Sequence, residues 1–590
     1  MNEGVEHTSP TRKVEPRTPA NLTPRERCEK RLAGLKATRQ PYEAEWREIA
    51  SLAQPARSRF LNVTARGARS ERAANRKLVD DYGIYAFNVT KNGMASGLSS
   101  PSRPWLKADT LDTDLMQDNE VAEWLAHLED ELYALFRRSG FYPVAATGYG
   151  EMALFGIEGA VMVEDWEVGG ICHSLTAGEF WTALDHRNRP NVMYRRVPMT
   201  AAQVVERFAV TPGSRDVDWS KVSPNIKSAW DRSDYEMAVN VMHAIEPNPA
   251  WVPNRLDSAG KPWSSVWWDE ADQGVNRVLR VGGYEEQPFW CPRWETVGGD
   301  IYSSIAPGIN CLPSLRTLQL QAKRKGEATD LAIHPELIVP ASLRGQVKRM
   351  PRNVVYAAVS DMAEIKTSYQ VDYRTIGVVR EDIVDVRESV NRLAFVDLFM
   401  AITNMRGVQP RNIEELASRN EEALTQLGPT IERVETEKLQ IAIDRGVGIL
   451  IRSGRLRDAP EALQGQALKF EFISILAQMQ RLVGIGQMER SVGFVGNLAG
   501  VKPGALDLLD EDATVREYFH RAGAPAVMLR SDREVAGIRQ QRAQAEAQQK
   551  AMEAMPAMKD GADAARLLSE TDNGDGTNLM QQLLGGGVAA

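Results

Sequence analysis

Six apolar residues, Ile376, Val379, Ile383, Val386, Val390 and Leu393, follow one another at intervals of 3, 4, 3, 4 and 3. On a helix this spacing draws one continuous apolar stripe. A heptad stripe is not stable against water and requires another helix along it. Residues 375–402 are therefore expected to form a long helix with a helical partner. The turn Arg406-Gly407-Val408-Gln409-Pro410 ends it; Gly and Pro together force the chain to reverse there.

Upstream, Thr23-Pro24-Arg25-Glu26 has the form of a helix start, with a capping Thr, Pro in the first turn and Glu three residues on. Gln40-Pro41 is expected to interrupt that helix, with a second segment running to about Leu52. Further helices are predicted over 81–100 and 120–138. In the second of these, Val121, Trp124, Leu125, Leu128, Leu132, Leu135 and Phe136 share one face, and Gly140 closes it. Between 155 and 300 the pattern changes to short strands at Val161–Val163, 192–197, Val239–Ile245, Val266–Trp268 and Val278–Val281. Trp166, Trp181, Trp263, Trp267, Trp268, Trp290 and Trp294 crowd this region. A helix is predicted over 313–332. A Pro-bounded stretch follows, with strand-like Leu337–Val339 and Val354–Val359. Helices at 413–427 and 430–451 are expected on either side of Gly428-Pro429. The fold class is thus α+β and mainly helical, with no internal repeat. Residues 1–22 read as a disordered arm and 549–590 as a flexible tail.

Several kinds of chemistry are not written in the chain. It has no G-x-x-x-x-G-K-[ST] loop, no H-E-x-x-H and no G-x-S-x-G. Cys28, Cys172, Cys291 and Cys311 lie far apart and read as buried, inert thiols, so neither a metal nor a cofactor is expected. Cys172-His173 is a poor catalytic pair, because neighbours on a strand point to opposite faces. One enzyme reading can be built: Glu164-Asp165-Trp166 and Trp267-Trp268-Asp269-Glu270 set carboxylates beside aromatics, as a glycosidase cleft does. The alternative is that the aromatics fill a core and the acids face solvent. No apolar run is long enough for a bilayer, and the polar N-terminus does not read as a secretory signal, so work in a cytoplasm or in something assembled there is expected. With 71 Lys and Arg against 79 Asp and Glu the formal charge is -8, which argues against a broad nucleic-acid grip but allows a local basic strip.

Taken in order, several segments resemble the head-to-tail connector, or portal, family of short-tailed bacteriophages. PYEAEWREIASLAQPARSRF resembles its opening helix, and NGMASGLSSPSRPWLKAD its small-residue helix and Pro-rich turn. SGFYPVAATGYGEMALFGIEGAVMVEDW resembles its Gly-rich helix leading into a strand. VPMTAAQVVERF, IYSSIAPGINCLPSLRTLQ and LTQLGPTIERVETEKL are similar to later blocks, and RAGAPAVMLRSDREVAGIRQQR to the C-terminal helical block. The series covers about 25 to 545. None of these segments is a catalytic signature; their order and spacing carry the resemblance. One departure is visible: GVQPRNIEELASRNEE stands where a Thr/Ala-rich, Glu-containing helix start is expected.

The resemblance implies a non-enzymatic ring, usually of twelve copies, at one capsid vertex of a virion assembled in the host cytoplasm. Double-stranded DNA would pass through its channel. Its other partners would be the terminase packaging motor, the major capsid and scaffolding proteins, and later the tail adaptors; no membrane is involved. It divides the chain into a wing at 23–310, stem helices at 311–334 and 375–402 around a clip at 335–374, a tunnel loop at 403–412, wing or core helices at 413–470 and a helical crown at 471–548. The stripe Ile376–Leu393 would pack the stem and its neighbours. From Arg316 to Arg352 there are eight Lys or Arg and three acids, whereas Asp361 to Glu388 has seven acids and four bases. Lys323, Arg324, Lys325, Lys348 and Arg349, with Arg406 and Arg411 of the loop, are the candidate DNA-facing residues. A solvated helix face is the alternative for Lys323–Lys325, and an ordinary surface turn for the loop. Another virion protein, a tail or adaptor component, is the competing identity.

Overall fold

A computed structural model describes residues 22–57, 78–110, 118–334, 337–339, 341, 366–367, 373–403, 421–482 and 485–499, apart from 166, 212, 214–215, 275–276 and 467. Beyond them it describes 502, 509–510, 512–515, 518, 535, 537–545 and 566. Two compact units result, Met1–Gly486 and Gln487–Ala590.

The first unit begins with α1 (Pro24–Ala53). Its start is a complete capping box: the Thr23 hydroxyl accepts the Glu26 N–H, and the Glu26 side chain returns to the Thr23 N–H. The expected interruption at Gln40-Pro41 does not occur, and one helix of 30 residues passes straight through Pro41. Packing outweighs the missing hydrogen bond on both sides of the proline. Arg39 donates to the carbonyls of Gly178 and Phe180, while Trp46, Ile49 and Ala50 are wholly buried beyond it.

Next come α2 (Tyr82–Leu98), β1 (Leu106–Thr110), α3 (Asn119–Arg138) and α4 (Phe141–Phe155). The predicted apolar face of α3 is buried at Val121, Leu125, Leu128, Leu132, Leu135 and Phe136, with Trp124 half-buried beside it. Gly140, at φ 72°, makes the reversal into α4. Strands β2 (Gly159–Asp165), β3 (Gly169–Leu175) and β9 (Phe289–Trp290) form one sheet in the order β3-β2-β9. Strands β4 (Phe180–Leu184), β5 (Pro190–Thr200), β6 (Ala238–Pro247), β7 (Trp263–Asp269) and β8 (Arg280–Tyr284) form a second, in that order and antiparallel throughout. A short helix α5 (Pro224–Asp231) lies between β5 and β6.

The two faces of the five-stranded sheet differ. Trp181, Tyr194, Ala244 and Val266 stand in one cross-strand row, and α1 covers that face with Cys28, Leu32 and Leu35. The aromatic load of the sequence is largely core: Trp46, Trp105, Trp181, Trp268 and Trp290 are fully buried. All four cysteines are free and buried. Cys172 points inward and His173 outward, as strand alternation requires.

The remainder is helical: α6 (Leu312–Ile333), α7 (Tyr373–Leu393), α8 (Val396–Thr403), α9 (Glu421–Val434), α10 (Gln440–Arg452), α11 (Ile475–Leu482) and α12 (Ile485–Ala499). The regular elements described between α6 and α7 are β10 (Leu337–Ile338) and its partner β11 (Lys366–Thr367), and Val354–Val359 lies outside the described residues. Two further expectations are corrected. The predicted single helix over 375–402 is two, because Phe395 takes φ 54° and turns the chain between α7 and α8. Its ring lies along Trp294 at 6.3 Å, and Thr90 donates to the Ala394 carbonyl that the break exposes. Nor does Gly428-Pro429 mark a boundary between helices. α9 runs through Pro429, and a wider turn at Glu435–Leu439 leads directly into α10. Leu424, Leu427, Ile431 and Val434 hold α9 to the core across the proline. Lastly, β12 (Leu468–Phe472) pairs antiparallel with β1, Leu106 opposite Phe472.

Most described residues of the second unit are helical, among them 487–499 of α12, 512–515 and 537–545. Arg539 there grips Asp512 through two bonds of 2.6 Å.

Candidate functional site

Helices α6 and α7 lie against each other, and the stripe is on their shared side. Ile383 and Val390 are buried, and Ile376, Val379, Val386 and Leu393 are half-buried. From α6, Leu312, Leu315 and Leu318 enter the same core. The pair is apolar on its outer surface too. Leu320, Ile333, Val378 and Val384 are exposed, Ile333 by 66% and Val378 by 56%. An open cleft of about 670 Å³ runs beside the two helices, floored by Ala322, Ile383 and Val384 and edged by Lys325, Asp330, Arg380 and Arg387.

The bases of the two helices are fixed to the rest of the unit by polar contacts. Arg316 meets Glu48 of α1 at 2.6 Å. Gln319 accepts the N–H groups of Val79 and Asp80 through its Oε1, and its amide nitrogen donates to the Asp80 carbonyl at 2.6 Å. The Asp80 carboxylate takes Arg387 of α7 at 2.6 Å, and Tyr82 donates to Asn391 at 2.6 Å. Asp80 therefore ties α6 and α7 to α2. Nothing in its sequence surroundings marks it: it is one acid in a loop, and its partners lie far along the chain.

Among the sequence-nominated basic residues, Lys323 and Arg324 are exposed on α6. Lys323 has a loose pair with Glu327 at 3.8 Å, worth little at such exposure. Lys325 is half-buried at the edge of the cleft. Lys348, Arg349, Arg406 and Arg411 lie outside the described residues, as does most of the predicted clip.

The carboxylates of the glycosidase reading are all engaged. Glu164 is held by Arg445 at 3.0 Å and Arg452 at 2.8 Å, and Glu270 by Arg196 at 2.8 Å. Asp165 and Asp269 accept backbone N–H groups of the turns that follow them. Trp268 is core, and Trp166 lies outside the described residues. Among the described residues no cluster of His, Cys, Asp or Glu could hold a metal ion, and no helix is long and apolar enough to cross a membrane.

Comparison with known proteins bears on the same architecture. Residues 25–529 match the sequence model of the family described as bacteriophage head to tail connecting protein. A portal protein of Salmonella phage epsilon15 is 34% identical over 559 residues, covering 94% of this chain and 97% of the relative. A probable portal protein of Bordetella phage BPP-1 is 33% identical over 557 residues, with 94% and 97% covered. With the match running through both larger sheets, the paired helices and the helical C-terminal region alike, the chain belongs to the bacteriophage head-to-tail connecting protein family.

Proposed function

We propose that the chain is the portal subunit of a phage particle, a structural protein that forms a ring at one capsid vertex, passes DNA during packaging and ejection, and joins head to tail. Both relatives carry the name portal protein, and the likeness spans nearly the whole of each. The observation that supports the ring is the paired-helix surface. The α6–α7 pair buries Ile383 and Val390, leaves the rest of the stripe half-buried and exposes Leu320, Ile333, Val378 and Val384. Four exposed apolar side chains on one helix pair leave apolar area for a protein partner to cover, and in a ring the neighbouring copy is always present.

On this reading α6 and α7 are the stem, the residues between them the clip, the sheet-rich region before Asn310 the wing, and the helical region 471–548 the crown. Twelve copies close the ring. The terminase packaging motor docks on the clip, capsid and scaffolding proteins surround the wing, and tail adaptors replace the motor. Assembly takes place in the host cytoplasm. Exposed Lys323 and Arg324, with the loop bearing Arg406 and Arg411, approach the DNA. The overall charge of -8 suits transit, since each phosphate neutralised by a fixed cation adds salt-dependent affinity that would hold the DNA in place.

Negative-stain microscopy of the purified chain tests the reading. A portal gives closed rings with a central hole. A monodisperse monomer at all concentrations would favour the tail or adaptor alternative.

A further inference from the structure

The face of the five-stranded sheet opposite α1, covered in part by Val205, Phe208 and Ile226, carries an unusual row. Strand register sets Arg195 opposite His243, His243 opposite Trp267, and Trp267 opposite Arg280, so all four side chains share one face. Arg207 reaches the same place from the turn after β5, with its guanidinium 4.8 Å from the Trp267 ring; that of Arg195 stands 5.4 Å from the same ring. Beside them lies a bowl of about 280 Å³, whose wall includes Arg207, Arg280, Ser265, Trp267 and Gly282.

The charge balance of this bowl is incomplete. Lys261 at its rim is paired with Glu285, and Arg452 with Glu286 and Glu164. Arg195, Arg207 and Arg280 form no ion pair among the described residues, and Glu179 attracts Arg195 only at longer range. Arg195 is 3% exposed, and its only hydrogen bond there is donated from Nε to His243 Nδ1 at 3.0 Å. An imidazole that accepts at Nδ1 carries its hydrogen on Nε2. That N–H therefore donates to Ser265 Oγ, 2.9 Å away, and the Ser265 hydroxyl hydrogen is left to donate elsewhere. The field is felt locally: burial first, then Arg195, Arg207 and Arg280, hold His243 well below its ordinary pKa. Three like charges about one indole repel each other, and no ion pair among the described residues relieves them.

We propose that this bowl is a binding site for a phosphate group, borne by free orthophosphate or by a small nucleotide. A guanidinium presents two parallel donors that match phosphate oxygens. A tetrahedral dianion can meet Arg207, Arg280 and the Ser265 hydroxyl at once through three oxygens, which a flat monocarboxylate cannot. The volume is at the small end for ligand pockets and fits a small anion. Gly282 shares this face, and no heavy atom lies within 4 Å of where its Cβ would stand. The sequence hides the site, because its components come from four strands and the turn after β5, and only folding brings them together.

The test is calorimetric titration of the full chain with orthophosphate, dAMP and acetate in a chloride buffer of constant ionic strength. Both phosphate probes bind saturably, and acetate at least about tenfold more weakly. Arg207→Gln with Arg280→Gln removes the charge, and Gly282→Leu fills the space; each weakens phosphate binding by at least about tenfold with an unchanged melting temperature in its absence. Lys323→Gln on α6 binds as the parent does. Tighter binding of dAMP than of orthophosphate identifies a nucleotide site, and equal or weaker binding a free-ion site. Absence of saturable binding by either phosphate probe, or equal binding by parent and both bowl variants, overturns the proposal. Ring formation is scored separately by microscopy, so failure here leaves the portal reading untouched.

Discussion

Lys438 and Glu158 are both fully buried and 2.7 Å apart. Trp290 Nε1 donates to the other Glu158 oxygen, and the Tyr149 ring lies under the ammonium at 3.5 Å. Burial pushes the Glu158 carboxyl up and the Lys438 ammonium down, and each partner opposes the shift of the other. Lys438→Met leaves a buried carboxylate alone and should cost about 3–5 kcal/mol. Adding Glu158→Gln should restore some of that; equal urea midpoints for the single and double variants would contradict the pairing. His243 gives a pH signature. The folded chain holds it neutral where the unfolded chain takes up a proton, so its stabilisation is whole above pH 6.5 and declines below it. The decline is at most about 1.4 kcal/mol per pH unit. Melting curves of His243→Gln should fall less steeply on acidification than those of the parent. Single residues were legible where polarity alone decides, as with the buried tryptophans and cysteines. Asp80, Lys438 and Arg195 were not, because their roles come from partners that only folding brings near.

At the scale of elements, amphipathic periodicity was the reliable guide. It located α3 and α7, because a stripe of large apolar groups has one way to leave water. Punctuation by proline was the unreliable one. Pro41 and Pro429 both lie inside helices, since a lost hydrogen bond costs about 3 kcal/mol and the buried groups flanking it offset that. The break at Phe395 has no proline or glycine to announce it. The stripe and its outer neighbours make separable predictions. Ile383→Asp puts a charge where the subunit is dry and should cost about 3–5 kcal/mol, with loss of rings. Val384 is 47% exposed. Val384→Asp should therefore shift monomer stability by no more than about 0.5 kcal/mol and yet lower ring yield. Sedimentation beside thermal melting distinguishes the two, and a full yield of rings from Val384→Asp would remove this surface from the subunit contact.

For the whole molecule, the proposed portal reading puts Arg406 and Arg411, which lie outside the described residues, near the DNA. Arg406→Glu with Arg411→Glu should leave rings intact and reduce the DNA retained in packaged heads, by like-charge repulsion in a confined passage. Full heads at normal yield that keep their DNA would take the loop away from the channel. The general architecture and the family were legible through the order of many weak segments. The pairing of β1 with β12 was not, since neither strand has a pattern that names its mate. That pairing has a further consequence. Its partners, around 106 and 472, are separated by more than half of the chain. Loop closure over such a span is slow, and β12 leaves the ribosome only after both larger sheets and helices α6 to α10 have been made. A nascent or prematurely ended chain therefore lacks this latch, and incomplete products carry an unpaired β1 edge.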